Sequence, residues 1–144
     1  MRAAALLALL LLLPGCGGGD DGAQALIQAG KGEVAVDVEV ADSDREREVG
    51  LMNRDSLAPD AGMIFLFARE HRGGFWMKDT RIPLSIAFVG ASGQILSILD
   101  MEPCRAGPCP VYDPGVAYTS ALEVNRGAFR RWGVRVGDRL RLER

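Results

Sequence analysis

Four valines, Val34, Val36, Val38 and Val40, alternate with Ala35, Asp37, Glu39 and Ala41. On a helix this spacing would scatter the valines around the axis; on a strand it gathers them on one face, opposite the acids. A strand buried on one face needs partners, and candidates recur downstream. Gly62 to Phe67 (GMIFLF) is short and apolar throughout, as suits a strand covered on both faces. Leu84 to Val89 and Gln94 to Met101 flank Gly90-Ala-Ser-Gly93, a connection of hairpin length. Tyr118 to Val124 reads as another strand, and Val134 to Leu142 as a closing pair of strand-like segments around Gly137-Asp138. Helical signals are few. Ser43 and Glu46 have capping-box spacing, which predicts a helix from about Asp44 to Met52 with Val49 and Met52 inward. Asn125 to Trp132 reads as a helical turn or short helix. The expected fold is α+β and β-rich: a twisted, mostly antiparallel sheet curled toward a small barrel, with one or two short helices.

Met1 to Leu13 (MRAAALLALLLLL) is one Arg followed by an apolar run. Spanning a bilayer takes ~20 apolar residues, so this run is too short and reads as an export signal over residues 1–15. It ends in Leu13-Pro14-Gly15-Cys16, which resembles the bacterial lipobox, whose thiol receives a diacylglycerol; Pro14 departs from the small residue usual there. The next residues, GGGDDGA, bury too little to offset their ordering entropy. The expectation is a lipoprotein: a lipidated Cys16, a tether over residues 16–32, and a single globular domain over 33–144 anchored to a membrane outside the cytoplasm, in the bacterial cell envelope. An ordinary cleaved signal or an uncleaved apolar anchor, with Cys16 incidental, is the alternative. Gln24 to Lys31 either extends the tether or makes a first weak element.

Cysteine use agrees with export. Cys104 and Cys109 remain as an even pair in PCRAGPCP, and a disulfide closing that tight loop is the favoured reading. A redox pair is the alternative, though the C-x-x-C spacing is absent. Two thiols and the distant His71 do not make a zinc site, so no metal or cofactor is expected. With 17 Lys and Arg interspersed among 19 Asp and Glu, the chain has no clustered basic face of the kind nucleic acids require.

The stretch Gly73 to Val89 (GGFWMKDTRIPLSIAFV) concentrates functional residue types. Extended backbone from Phe75 to Lys78 would place Phe75 and Met77 on one face and Trp76 with Lys78 on the other. Such a patch could stack on a sugar or hold a peptide, with Lys78 as its polar grip. Core filling is the commoner fate of a Trp, and pairing with Asp79 the plainer fate of Lys78. Arg47 and Arg54 could complete an anion-binding rim, although the solvated face of a short helix is the favoured reading. Glu123, between Leu122 and Val124, points away from their face and is expected to be exposed or paired with an Arg. Asp79 and Glu123 could act as paired carboxylates only if the fold joins them. His71 is expected to be solvated, and Met52, Met63, Met77 and Met101 to fill the core.

Five words occur in order: R-x-x-G-L-M-x-R at Arg47 to Arg54, GMIFLF at Gly62 to Phe67, F-W-M-K-D-T-x-I-P-L from Phe75 to Leu84, ALEV at Ala121 to Val124, and GVRVGD at Gly133 to Asp138. Together they resemble the domain of unknown function 192 family, across essentially Val34 to Leu142. The resemblance implies a small, mostly β domain, often exported, with no assigned reaction or cofactor. It also marks two departures, Asp79 where the family commonly has Asn and Ser85 where it commonly has Asp. The preferred reading is a lipid-anchored, non-catalytic envelope module that presents the Trp76/Lys78 region to a protein or glycan partner. Two readings stand beside it: a small hydrolase or transferase of envelope polymers using Asp79 and Glu123, and a structural assembly factor.

Overall fold

The alternating valines form β2 (Gly32–Ala41) in the computed structural model, which describes residues 22–144. Val36 and Val38 are buried, while Asp37 and Glu39 face outward. The stretch Gln24–Ala29 is a paired strand, β1, and not tether: it lies antiparallel to β2 on one side and to the final strand on the other, with Ala25 and Ile27 wholly buried. The tether assigned over 16–32 is therefore too long: β2 pairs with β1 on one side, and the final strand, more than a hundred residues away, on the other. The signal segment and Cys16 lie outside the described residues.

After β2 the chain makes α1 (Asp44–Val49), β3 (Ala61–His71), β4 (Phe75–Trp76), β5 (Leu84–Val89), β6 (Ile95–Met101), β7 (Val111–Tyr112), β8 (Tyr118–Asn125), α2 (Ala128–Trp132) and β9 (Arg139–Glu143). The capping box forms in full, since the Ser43 hydroxyl accepts from the Glu46 amide and the Glu46 carboxylate accepts from the Ser43 amide. The helix stops at Val49, short of the expected Met52. Gly50 follows at φ 47°, and a Cβ there would stand 3.3 Å from the Phe65 ring, so a left-handed backbone and a close approach end the helix together. Val49 stays half exposed, and Leu51 is the residue that turns inward.

Seven strands form one sheet in the order β6-β5-β8-β3-β2-β1-β9, with a separate two-stranded ribbon of β4 and β7. Neighbours in the sheet are antiparallel except β2 and β3, which run parallel because α1 and its loop carry the chain back across. The sheet is curled as expected, and its two edges meet at one end. There the amide of Ile95 donates to Asp138 O at 2.8 Å and that of Leu140 to Gly93 O at 2.8 Å. The segment expected to give two closing strands gives a turn and one strand, β9.

Both faces are covered. One packs Ile27, Val36, Val38, Ile64, Ala87, Leu122 and Val124 under Phe129 of α2. The other packs Met63, Phe65, Ile86, Phe88 and Ala121 with Met77, Ile82 and Leu51, which lie outside the strands. That second layer, made of α1, its loop and the segment after β4, positions the candidate site.

Candidate functional site

Alternation along Phe75 to Lys78 holds as the sequence predicts. Met77 is buried and Phe75 packs edge-on against Phe65 at 4.9 Å, whereas Trp76 is 49% exposed and Lys78 is exposed. The Lys78 ammonium lies 5.4 Å from the Trp76 ring centre, a cation–π contact that occupies Lys78 and one side of the indole. Trp76 thus stands between two hollows, both open to solvent: a groove of about 600 Å³, which it lines with Lys78, Asp79 and the Cys104 to Cys109 loop, and a cavity of about 290 Å³ beside α1.

The cavity is walled by Phe65, Phe67, His71, Phe75 and Trp76 on one side and by α1 and its loop on the other. Its floor includes Glu123, and here the sequence reading needs correction. Glu123 does point away from Leu122 and Val124, but the face it enters is covered, so the residue is 4% exposed and neither solvated nor paired with an Arg. It lies between Met63 and Ile86 on the neighbouring strands. No hydrogen bond or ion pair among the described residues reaches its carboxyl group. Every fully occluded side-chain polar atom among those residues has a partner, so the partnerless Glu123 oxygens must open onto the cavity. Burial without a compensating charge pushes its pKa up to about 8.

The charged neighbours are otherwise engaged. Arg47 lines the cavity but spends its guanidinium on Asp42 O at 2.5 Å, Leu66 O at 2.6 Å and the Asp44 carboxylate at 2.6 Å, with its carbon 5.3 Å from the Phe67 ring centre. Arg54 is elsewhere, doubly bonded to Glu39, which raises its pKa further. The two arginines therefore do not form one anion-binding rim. Asp79, at φ 55°, lines the groove and not the cavity, so the fold does not gather Asp79 and Glu123 around one hollow. His71 is exposed, as expected, yet it stacks on Phe67 at 4.4 Å and forms part of the cavity mouth. Met63, Met77 and Met101 are core, while Met52 is half-buried at the cavity wall.

Cys104 and Cys109 are joined in a disulfide. Cys104 also bridges the backbone at Lys78 and Thr80, which ties the stapled loop to the segment that carries Trp76. At the second departure, the buried Ser85 hydroxyl donates to the Asp100 carboxylate across β5 and β6 and accepts from the Gly127 amide at 2.9 Å. A carboxylate is thus held beside Ser85 by the neighbouring strand, a placement only the register reveals. No group of three or more potential metal ligands occurs among the described residues. The cavity lining contains no thiol, and its one hydroxyl, on Thr80, donates to Lys78 O at 3.3 Å. This arrangement can bind a ligand through a buried acid and aromatic walls.

A model of the DUF192 family, described as Uncharacterized ACR, matches residues 25–142. Among solved structures, a protein of Sinorhizobium meliloti 1021, provisionally described as a transcription regulator, is 32% identical, with a TM-score of 0.77 over 87% of this chain and 97% of its own. A protein of unknown function from Novosphingobium aromaticivorans DSM 12444 is 29% identical, with a TM-score of 0.74 over 82% of this chain and 83% of its own. No curated protein matches the chain.

Proposed function

The chain belongs to the DUF192 family, whose description assigns no reaction, and we propose that it is an exported, lipid-anchored binding module whose ligand seat is the cavity between α1 and Trp76. The observation that carries this reading is the Glu123 carboxyl, buried, without a partner, and open to a hollow walled by aromatic rings. Leaving a buried acid unpaired costs stability, and interiors ordinarily pair such groups or replace them with apolar ones. A ligand that supplies the missing partner explains the expense. The volume, about 290 Å³, is at the small end of ligand pockets, which run from ~300 Å³ upward. Of the expected Trp76/Lys78 patch, Trp76 borders this cavity, while Lys78 and Asp79 line the neighbouring groove.

The lipobox-like word before Cys16, the Gly-rich acidic segment after it and the Cys104–Cys109 disulfide support export and anchoring. Asp79 lies outside the Glu123 cavity, so no observation favours the paired-carboxylate enzyme.

Backbone and side-chain NMR of the full chain tests the ligand seat: glycans, amines, carboxylic acids and short peptides are titrated while the Trp76 and Glu123 signals are followed. A saturable shift of both by one class is expected. Shifts confined to Lys78 and the disulfide loop would move the seat to the groove and overturn the cavity reading. For the anchor, Cys16→Ser should release the protein from the membrane fraction, and unchanged fractionation would refute it.

A further inference from the structure

The cavity reading leaves the chemistry of the occupant open, and the lining narrows it. Besides Glu123, the charged groups around the hollow are Asp44, Arg47 and Glu48 of α1 and the titratable His71 of β3. Arg47 is consumed by two carbonyls and the Asp44 carboxylate, so it offers no free donor fork for an anion. On the same sheet face, Glu39 lies in one cross-strand row with Met63 and Glu123, but Arg54 neutralises it. One acid in that row has its cation built in, and the other lacks one. Phe65, Phe67, Phe75 and Trp76 line the hollow with Glu123, and Arg47 over Phe67 and Lys78 over Trp76 show that rings here hold cations.

Resting on the proposal that this cavity is the ligand seat, we infer that it takes a small organic ammonium, whose charged nitrogen pairs with the Glu123 carboxylate while its carbon chain lies along Phe65, Phe67 and Phe75. The nitrogen supplies the hydrogen-bond donors the carboxylate lacks, and the rings supply apolar contact for the chain. Free amines and the side chain of a peptide lysine share this chemistry.

Proton bookkeeping gives the inference a signature. Near neutral pH burial keeps Glu123 mostly protonated. An ammonium arriving already charged forms an ion pair only if the Glu123 O–H bond breaks and its proton passes to the buffer. The amine loses nothing. Binding should therefore release close to one proton near pH 7 and tighten by up to about tenfold per pH unit as pH rises toward 8.

Calorimetry on the full chain in detergent tests this, with n-butylammonium, n-butanol, butyrate and Nα-acetyl-lysine methylamide each titrated in two buffers of different ionisation enthalpy. Butylammonium or the lysine derivative is expected to bind with proton release, the tighter of the two naming the source. Glu123→Gln should abolish the release and weaken binding roughly 10- to 100-fold, the range for a lost hydrogen bond to a charged group. Because Gln removes a buried acid, loss of folding is not the expected cause, and an unchanged circular dichroism melt of the variant checks that. If butanol or butyrate binds in the cavity and butylammonium does not, the cavity remains a ligand seat and the ammonium inference falls. Amine binding without proton release, or unaffected by Glu123→Gln, would also overturn it. If none of the four probes binds, the ammonium inference falls, and the NMR titration with the other ligand classes decides the cavity reading separately.

Discussion

Along β8, Leu122 and Val124 enter one face of the sheet and Ala121 and Glu123 the other, so neighbouring residues report on two different interiors. The face under α2 packs Ile27, Val36, Ile64, Ala87 and Leu122 against Phe129, and its one buried polar side chain among the described residues, Ser85, is satisfied by the Asp100 carboxylate and the Gly127 amide. The face under α1 begins the same way, with Met63, Phe65, Ile86 and Phe88, but its buried polar group, the Glu123 carboxyl, has no partner among the described residues and lines a hollow. Their covers differ as well. α2 buries Ala128 and Phe129, whereas α1 buries no residue of its own. Stability is concentrated on one side of the sheet and given up in part on the other, as expected where a binding site is grafted onto a scaffold.

Truncation on the α2 side should have the largest effect. Phe129→Ala removes the ring that seals that face, and filled cores lose about 3–5 kcal/mol for such a change. Urea denaturation should show the loss at every pH. A loss below about 1 kcal/mol would mean that this face is not the stabilising one.

On the other side the sign reverses. Glu123 holds its proton in the folded chain up to about pH 8, whereas the unfolded chain gives it up near 4.5. Between those values the folded state binds more protons, so stability falls as pH rises, by about 1.4 kcal/mol per unit, and levels off above pH 8. From about pH 5.5 to 7.5 this group alone should cost about 3 kcal/mol. Glu123→Leu should remove that slope and leave the protein more stable than the parent at pH 7.5. Denaturant melts across the range decide: a slope that persists in the variant would place the titration on another group and the sacrifice elsewhere.

The same contrast sets what was legible in the sequence. The alternating valines of β2, the capping box, the hairpin of β5 and β6 and the alternation from Phe75 to Lys78 are local patterns, and local physics settles them. β1 was hidden in part because β9, one of its two partners, lies at the far end of the chain. Glu123 was read as facing away from Leu122, correctly, and as exposed, wrongly. Strand alternation says which face a side chain enters but not whether a second layer covers that face. The apolar run GMIFLF on β3 held the missing signal: if β3 is buried on both faces, its neighbour β8 must be too, and a Glu there is an interior Glu. The separation of Arg47 from Arg54 had no sequence signal, since it depends on Glu39 capturing Arg54 across the fold.

The smallest expected effect concerns the cover itself. Ser43→Ala deletes the hydroxyl that caps α1 and should cost about 1 kcal/mol, typical of an N-cap. Because α1 buries no residue, its fraying should not reach the sheet. Amide exchange should quicken at the first turn, around Glu46 and Arg47, and stay unchanged along β8. Ligand affinity should fall with it, since Arg47 and Glu48 wall the cavity from that helix. Exchange that quickens equally in β8 would show that α1 is welded to the core, and the two sides of the sheet would then be alike after all.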